Sequence, residues 1–235
     1  MKTIVQTIRD SLLQIFYPHV CAGCGSDAVT AESQLCVKCI YQLPVTGFEK
    51  HSDNPIEKML SGRVRFQNAT AQLYFTKESL IQKLMHQFKY RGNKDLGRQL
   101  GVMMGAHLKE SKRFDEIEAL VPLPLFENKE YKRGFNQSKI LCEGIAEVMN
   151  VKIVDDAIIR PMATETQTKK NRVERWKNME GKFYLQKGNK ISQKHVLLVD
   201  DVITTGATIE SCANTLLEPG DVRVSIASLC FASNI

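Results

Sequence analysis

No stretch of this 235-residue chain approaches the roughly 18 apolar residues that a membrane-spanning helix needs, so an integral helical membrane protein is not expected. The first ten residues, Met1 to Asp10, lack an apolar export core and a small-residue cleavage site, which makes the cytoplasm the expected compartment. Internal repeats and low-complexity tracts are missing too, so repeat architectures are not expected. His19, His51, His86, His107 and His195 share no motif, and core or surface roles are expected for them rather than catalysis. Seven cysteines in a cytoplasmic chain argue against a disulfide framework.

What is present fits a globular chain. Hydrophobic residues make up 43% and charged residues 25%, and the length allows one large core, or a core with a small appendage. The net charge of +6 permits nucleic acid or phosphate ligands without requiring either. The charge is uneven: between Arg160 and Lys182 stand seven basic residues against three acidic ones. A solvated loop is the simplest reading of such a run.

Four of the cysteines are spaced as a metal site. Cys21, Cys24, Cys36 and Cys39 form two C-x2-C pairs separated by eleven residues, with Gly23 and Gly25 easing the first turn. Two such knuckles supply four thiolates for tetrahedral structural zinc and leave no position for a catalytic water. A redox pair or an iron–sulfur site is the alternative. Cys142, Cys212 and Cys230 sit in apolar patterns and are expected in the core.

Along the chain, Ile4, Ile8, Leu12, Leu13 and Phe16 suggest an N-terminal helix ahead of the cysteines, together too small to fold without metal. Pro44, Gly47, Asn54 and Pro55 read as breakers in a linker. Alternation in Ala69 to Phe75 predicts a half-buried strand, and the spacing of Leu80, Ile81, Leu84, Met85 and Phe88 predicts a helix. A helix over Leu96 to Leu108 follows. From Glu118 onward, strands (119–125, 151–154, 182–185, 196–199, 222–231) alternate with helices (137–149, 209–217). Such alternation predicts a parallel sheet that binds its ligand at the carboxyl ends of its strands, near the topological switch point. The long connection from Ile159 to Gly181 lacks a period of its own and reads as a lid or a disordered loop.

The densest chemistry lies in Val196-Leu-Leu-Val-Asp-Asp-Val-Ile-Thr-Thr-Gly-Ala-Thr208. A buried strand here brings Asp200 and Asp201 to its carboxyl end, one on each side. There the acids can accept hydrogen bonds from vicinal sugar hydroxyls or organise Mg2+ through water. Thr204, Thr205, Gly206, Ala207 and Thr208 form a tight turn into a helix, whose free N–H groups suit a phosphate.

At these residues the chain resembles the type I phosphoribosyltransferases, and within them the ComF/ComFC competence proteins. The cysteine module, Val121-Pro-Leu-Pro-Leu125, Lys132-Arg-Gly-Phe-Asn-Gln137 and Lys89-Tyr-Arg-Gly92 extend the resemblance across the chain. It implies an α/β fold with helices on both faces of a parallel sheet, plus an N-terminal zinc-ribbon-like module. The implied division is residues 1–45 for the N-terminal helix and cysteine module, 46–68 for a linker and 69–235 for the phosphoribosyltransferase-like domain. The implied ligand is 5-phosphoribosyl-1-pyrophosphate with Mg2+, Asp200 and Asp201 holding the ribose and Thr204 to Thr208 the 5′-phosphate. Lys132 and Arg133 would be the cations for the pyrophosphate, although Arg133 also reads as a plain surface charge. Gln167, Lys169, Arg172 and Arg175 would belong to a lid. If there is turnover, pyrophosphate is displaced from C1 of the ribose, and no acceptor is evident.

The resemblance also implies a link to DNA uptake in natural transformation, with competence-machinery proteins as partners. The alternative is therefore a non-catalytic factor. It would bind single-stranded DNA through Lys89, Tyr90, Arg91, Tyr131, Lys132, Arg133, Phe135 and Trp176, or act as a sensor of the ribose donor.

Overall fold

A computed structural model describes residues 19–30, 32–161 and 183–232. The expected N-terminal helix, the lid residues Gln167, Lys169, Arg172 and Arg175, and Trp176 lie outside them. In chain order the elements are α1 (Val37–Tyr41), α2 (Pro55–Leu60), β1 (Ala69–Tyr74), α3 (Leu80–Tyr90), α4 (Lys94–Ser111), β2 (Ala119–Pro122), α5 (Glu127–Arg133), α6 (Gln137–Met149), β3 (Lys152–Ile153), β4 (Ile158–Ile159), β5 (Tyr184–Leu185), β6 (His195–Ile203), α7 (Ala207–Leu217) and β7 (Arg223–Phe231). Helix starts follow local capping chemistry. The side chains of Ser79, Asn93 and Asn136 accept backbone N–H groups of Gln82, Leu96 and Ser138, opening α3, α4 and α6.

Five strands form one sheet in the order β1-β7-β6-β2-β3, every neighbouring pair parallel. The chain runs outward from β2 through α6 to β3, and in the opposite direction from β6 through α7 to β7. Right-handed crossovers in opposite directions put α6 and α7 on opposite faces. Leu197 and Val199 of β6 accordingly join the core with α3, α4, α6 and the cysteine module, whereas Val196 and Leu198 join the other core with α2 and α7. The direction of winding reverses between β2 and β6, which is where open α/β sheets hold their ligands.

Several expectations change in detail. β1 is buried on both faces as far as Leu73, not half-buried, because the Phe48–Lys50 turn and α2 cover one side and α4 the other. The strand expected at 182–185 is seen at Tyr184–Leu185, where it pairs antiparallel with Ile158–Ile159 outside the main sheet. The stretch over Asn54-Pro55 is a helix start. The Asn54 carbonyl oxygen accepts from the Ile56 and Glu57 N–H groups, while its amide donates to Phe48, His51 and Ala69 carbonyls. Ile56 and Leu60 are fully buried, and the Glu57 carboxylate is held by Arg113 at 2.6 Å. Among the described residues, no helix is long and apolar enough to cross a membrane.

The closest helix crossing, α4 on α6, is made by glycines. A Cβ at Gly144 would lie 2.2 Å from the Arg98 carbonyl oxygen, and one at Gly101 would lie 2.3 Å from that of Leu141. That crossing seats α6, whose first turn borders the acid pair.

Candidate functional site

The ladder between β2 and β6 ends at Pro122↔Val199, while β6 stays paired with β7 as far as Ile203↔Phe231. The two acids therefore lie within a strand longer than expected, at the point where it leaves its β2 neighbour. Alternation sends their side chains to different faces. Asp201 is paired with Lys89 Nζ at 2.9 Å, and the two side chains are only 13% and 18% exposed. Asp200 accepts the Asp201 N–H at 2.7 Å and lies 3.4 Å from the Ser138 hydroxyl at the start of α6.

These surroundings give the two neighbours unequal roles. Burial, followed by the adjacent Asp201 charge, pushes the Asp200 carboxyl up to about 7, while the Asp201 N–H, Lys89 and Ser138 pull the other way. Near neutral pH, Asp200 thus exchanges a proton readily, beside a carboxylate held by a lysine.

After β6, Gly206 takes a left-handed φ of 77° and opens α7 with no side-chain cap. The first carbonyl–amide bond of the helix is Glu210 N–H to Gly206 O, so the N–H groups of Ala207, Thr208 and Ile209 have no helical acceptor. Asp200 and the turn line a concavity of about 50 Å³. A Cβ on Gly206 would reach Leu60 at 3.0 Å, so α2 packs against the back of the turn. Arg63 fixes it there, donating to the Thr205 carbonyl at 2.9 Å and to Glu210. Thr204, Thr205, Ala207 and Thr208 remain exposed.

The two sequence motifs outside this string interlock around it. Phe88 and Phe135 stack at 5.8 Å, and the Arg133 guanidinium lies 5.6 Å over the Tyr90 ring. Arg133 also donates to the Gln137 side chain at 2.7 Å, and Lys132 is exposed. Lys89, grouped in the sequence with a DNA-facing set, points inward to Asp201 instead. Phe135 is buried and packs the core. Ser138 and Arg63 were not singled out in the sequence. Neither stands in a motif with a spacing signal, and only the tertiary fold brings them here.

The four cysteine sulfurs at the N-terminal module all lie within 4.8 Å of one another, with Cys24 Sγ and Cys36 Sγ 3.7 Å apart. A tetrahedral Zn–S bond of about 2.3 Å implies sulfurs about 3.8 Å apart, so the cluster fits a metal such as zinc. Burial pushes the Cys39 thiol up to about 12, and its sulfur neighbours push the same way. Burial raises Cys21 too, but the N–H groups of Cys24, Cys36 and Gly23 outweigh it and hold that thiol near 6. Four thiols crowded together resist joint ionisation; a dication relieves exactly that conflict of charge. Cys142, Cys212 and Cys230 are buried away from this cluster, as expected.

The module docks on α3. Lys83 donates to the Gly23 carbonyl at 3.2 Å and Gln87 to that of Ala22, while a Cβ on Gly23 would lie 2.7 Å from Cys39 Sγ. The helix that carries Lys89 to the acids is thus the one on which the cysteine module sits.

Comparison with known proteins places these features. Residues 132–234 match the model of the phosphoribosyl transferase domain family. The chain is 27% identical over 214 residues to the DNA utilization protein YhgH of Escherichia coli (strain K12), spanning 90% of this chain and 89% of the relative. It is 27% identical over 153 residues to Competence protein F of Haemophilus influenzae, covering 63% and 67% of the two chains. With Competence protein ComFC of Bacillus subtilis (strain 168) it shares 29% identity over 147 residues, 62% of this chain and 57% of the relative. The chain is therefore similar to the DNA utilization protein YhgH over most of its length and to ComF-type competence proteins over a smaller part, and its second half matches the phosphoribosyl transferase domain family.

Proposed function

We propose that the crevice between β2 and β6 binds 5-phosphoribosyl-1-pyrophosphate with Mg2+, and that the protein serves DNA uptake from the cytoplasm. The observation that carries this reading is the convergence of the acid pair with an uncapped helix start at the switch point. The N–H groups of Ala207, Thr208 and Ile209, with the hydroxyls of Thr204, Thr205 and Thr208, would take the 5′-phosphate. Asp200 and Asp201 would accept the ribose hydroxyls. Lys132 and Arg133, after β2, would meet the pyrophosphate, with Gln167, Lys169, Arg172 and Arg175 as the lid. The names of the relatives support the link to natural transformation.

The residues present suit the metals. Asp200 and Asp201 offer hard oxygen donors for Mg2+, which would neutralise charge on the leaving pyrophosphate. Because Lys89 already holds one Asp201 oxygen, the acids would reach the metal through water. Cys21, Cys24, Cys36 and Cys39 would hold structural Zn2+ with all four positions filled. If transfer occurs, the acids orient the ribose so that C1 faces the acceptor, and the cations stabilise the departing oxygens. We divide the chain at 1–45, 46–68 and 69–235, the middle stretch packing against the sheet through Ile56 and Leu60.

Titration of the zinc-loaded protein with the donor and Mg2+ by calorimetry tests the reading. Saturable binding is expected, weakened by Asp200→Asn with Asp201→Asn; absence of binding by the parent refutes it. A second reading, single-stranded DNA binding, is favoured by exposed aromatics beside cations at the rim. Tyr90 is 65% and Tyr131 91% exposed, near Arg91 and Lys132. Its affinity should fall steeply with added salt, and a flat response excludes phosphate contacts.

A further inference from the structure

A second concavity, of about 270 Å³, opens at the end of β2, the strand next to the one that carries the acid pair. It is lined by Pro122, Pro124 and Leu125 after β2, by Asn136 at the start of α6 and by Arg160 after β4. Two of its charges, Lys139 and Asp155, are paired with each other at 2.6 Å, and Glu130 stands exposed at the rim.

Arg160 differs from these in how it is held. The ladder of β4 with β5 pairs Ile159 with Tyr184, so the next step outward brings Arg160 beside Phe183. The guanidinium lies 4.9 Å from the Phe183 ring centroid and 3.8 Å from that of Phe126, the residue that opens α5. Lys129 shares the Phe126 ring at 5.6 Å. The guanidinium thus rests against two aromatic rings, which attract its charge. Its Nε is buried and finds no hydrogen-bond partner among the described residues. Burial disfavours the charge and lowers the Arg160 pKa, while Asp200 is among the negative charges that support it. A guanidinium held against two rings, with a donor left over among the described residues, suits an anion that its N–H groups can meet.

The ladder fixes where such an anion would lie relative to the sugar site. Pro122 of β2 is the direct neighbour of Val199 of β6, and neighbouring strands are about 4.8 Å apart. The groove and the phosphate turn therefore flank Asp200 from two adjacent strands. A sugar on the acids, with one phosphate in the turn, would extend its other anionic end into the groove. Arg133, by contrast, is engaged by Gln137 and Tyr90 on the α3 side.

We propose that Arg160 also binds the pyrophosphate end of the ligand, from the groove between the β2 loop and the β4–β5 ribbon. The assignment rests on the ribose-phosphate reading of the crevice but selects a residue which that reading does not require. Calorimetry with two probes, ribose 5-phosphate and inorganic pyrophosphate with Mg2+, separates the two claims. Arg160→Gln should weaken pyrophosphate binding by about tenfold or more, the loss expected for a bidentate charged contact, and leave ribose 5-phosphate within about twofold.

If removing the side chain from between the two rings unfolds the protein, Arg160→Lys keeps stem and charge but loses the planar fork, and a loss of pyrophosphate affinity is still expected. Unchanged pyrophosphate affinity in a folded Arg160 variant overturns the assignment. So does a parent protein that binds ribose 5-phosphate but not pyrophosphate. A parent that binds neither probe overturns the reading of the crevice itself.

Discussion

Replacing Asp200 with asparagine is expected to stabilise the protein above neutral pH while weakening its hold on a sugar phosphate. The carboxyl is pushed up to about 7, by burial first and by the Asp201 charge second. An unfolded aspartate ionises near 3.9, so between that value and about 7 the folded protein retains a proton that the unfolded chain has released. The folded state binds more protons in that window; stability therefore falls as pH rises through it and levels off above it. The full interval corresponds to about 4 kcal/mol as an upper bound. The carboxylate keeps an opening to the crevice, and screening there reduces the expected effect to about 1–2 kcal/mol. Asparagine preserves the shape and still accepts the Asp201 N–H, but it has no proton to titrate. Urea unfolding of parent and Asp200→Asn from about pH 4 to about pH 8 isolates the difference. The two should be similar at the acid end, with the variant more stable at the alkaline end. Parallel pH profiles, or a variant less stable at alkaline pH, would refute the assignment of a strained carboxylate at this position.

Stripping the metal from the cysteine module with a chelator should lower the melting temperature by several degrees, because metal binding contributes folding free energy; an unchanged melt means that the four thiols do not form a closed site. Gly144→Ala should cost about 2–3 kcal/mol in urea unfolding, since the new methyl would meet the Arg98 carbonyl rather than a side chain able to swing away; a cost below about 0.5 kcal/mol would show that α4 and α6 separate freely. Arg113→Met should cost about 3 kcal/mol by leaving the Glu57 carboxylate buried without its cation, and Glu57→Gln in the same protein should restore part of the loss. No rescue in the double variant would mean that Arg113 acts through packing alone.

The sheet, its winding and the helix at 137–149 were legible because each depends on a local pattern: an apolar run, a helical period, a cap. The expected strand over 196–199 proved to be the paired, buried first part of β6, which continues to Ile203 because β7 still accompanies it. Tertiary pairing carries the strand past its two acids, and no local propensity would predict that. Asn54-Pro55 looked like a break for the same reason that it is a good helix start. Asparagine caps, and proline suits the first turn. What separates the two readings is whether the following residues find something to pack against, and Ile56 and Leu60 do so only once the sheet exists. The short ribbon of β4 and β5 spans two residues in each strand, too few for alternation to register.

The site shows the same limit more sharply. Lys89-Tyr-Arg-Gly92 is a basic and aromatic cluster in sequence, and such clusters usually face solvent. The helical period of α3 nevertheless sends its members to different places. Lys89 lies one residue beyond Phe88, which is wholly buried, so its stem runs along the core edge and its ammonium reaches Asp201. Tyr90, one step further round, is left outside to stack on Arg133. One tetrapeptide therefore contributes both to the electrostatics of the acid pair and to the exposed rim. Lys89 also helps two adjacent acids coexist near the core: it pairs with Asp201, while burial first and the neighbouring charge second make Asp200 keep its proton to higher pH. A ligand that brings its own cation to this crevice would meet one acid already paired with a lysine and one that exchanges its proton near neutral pH.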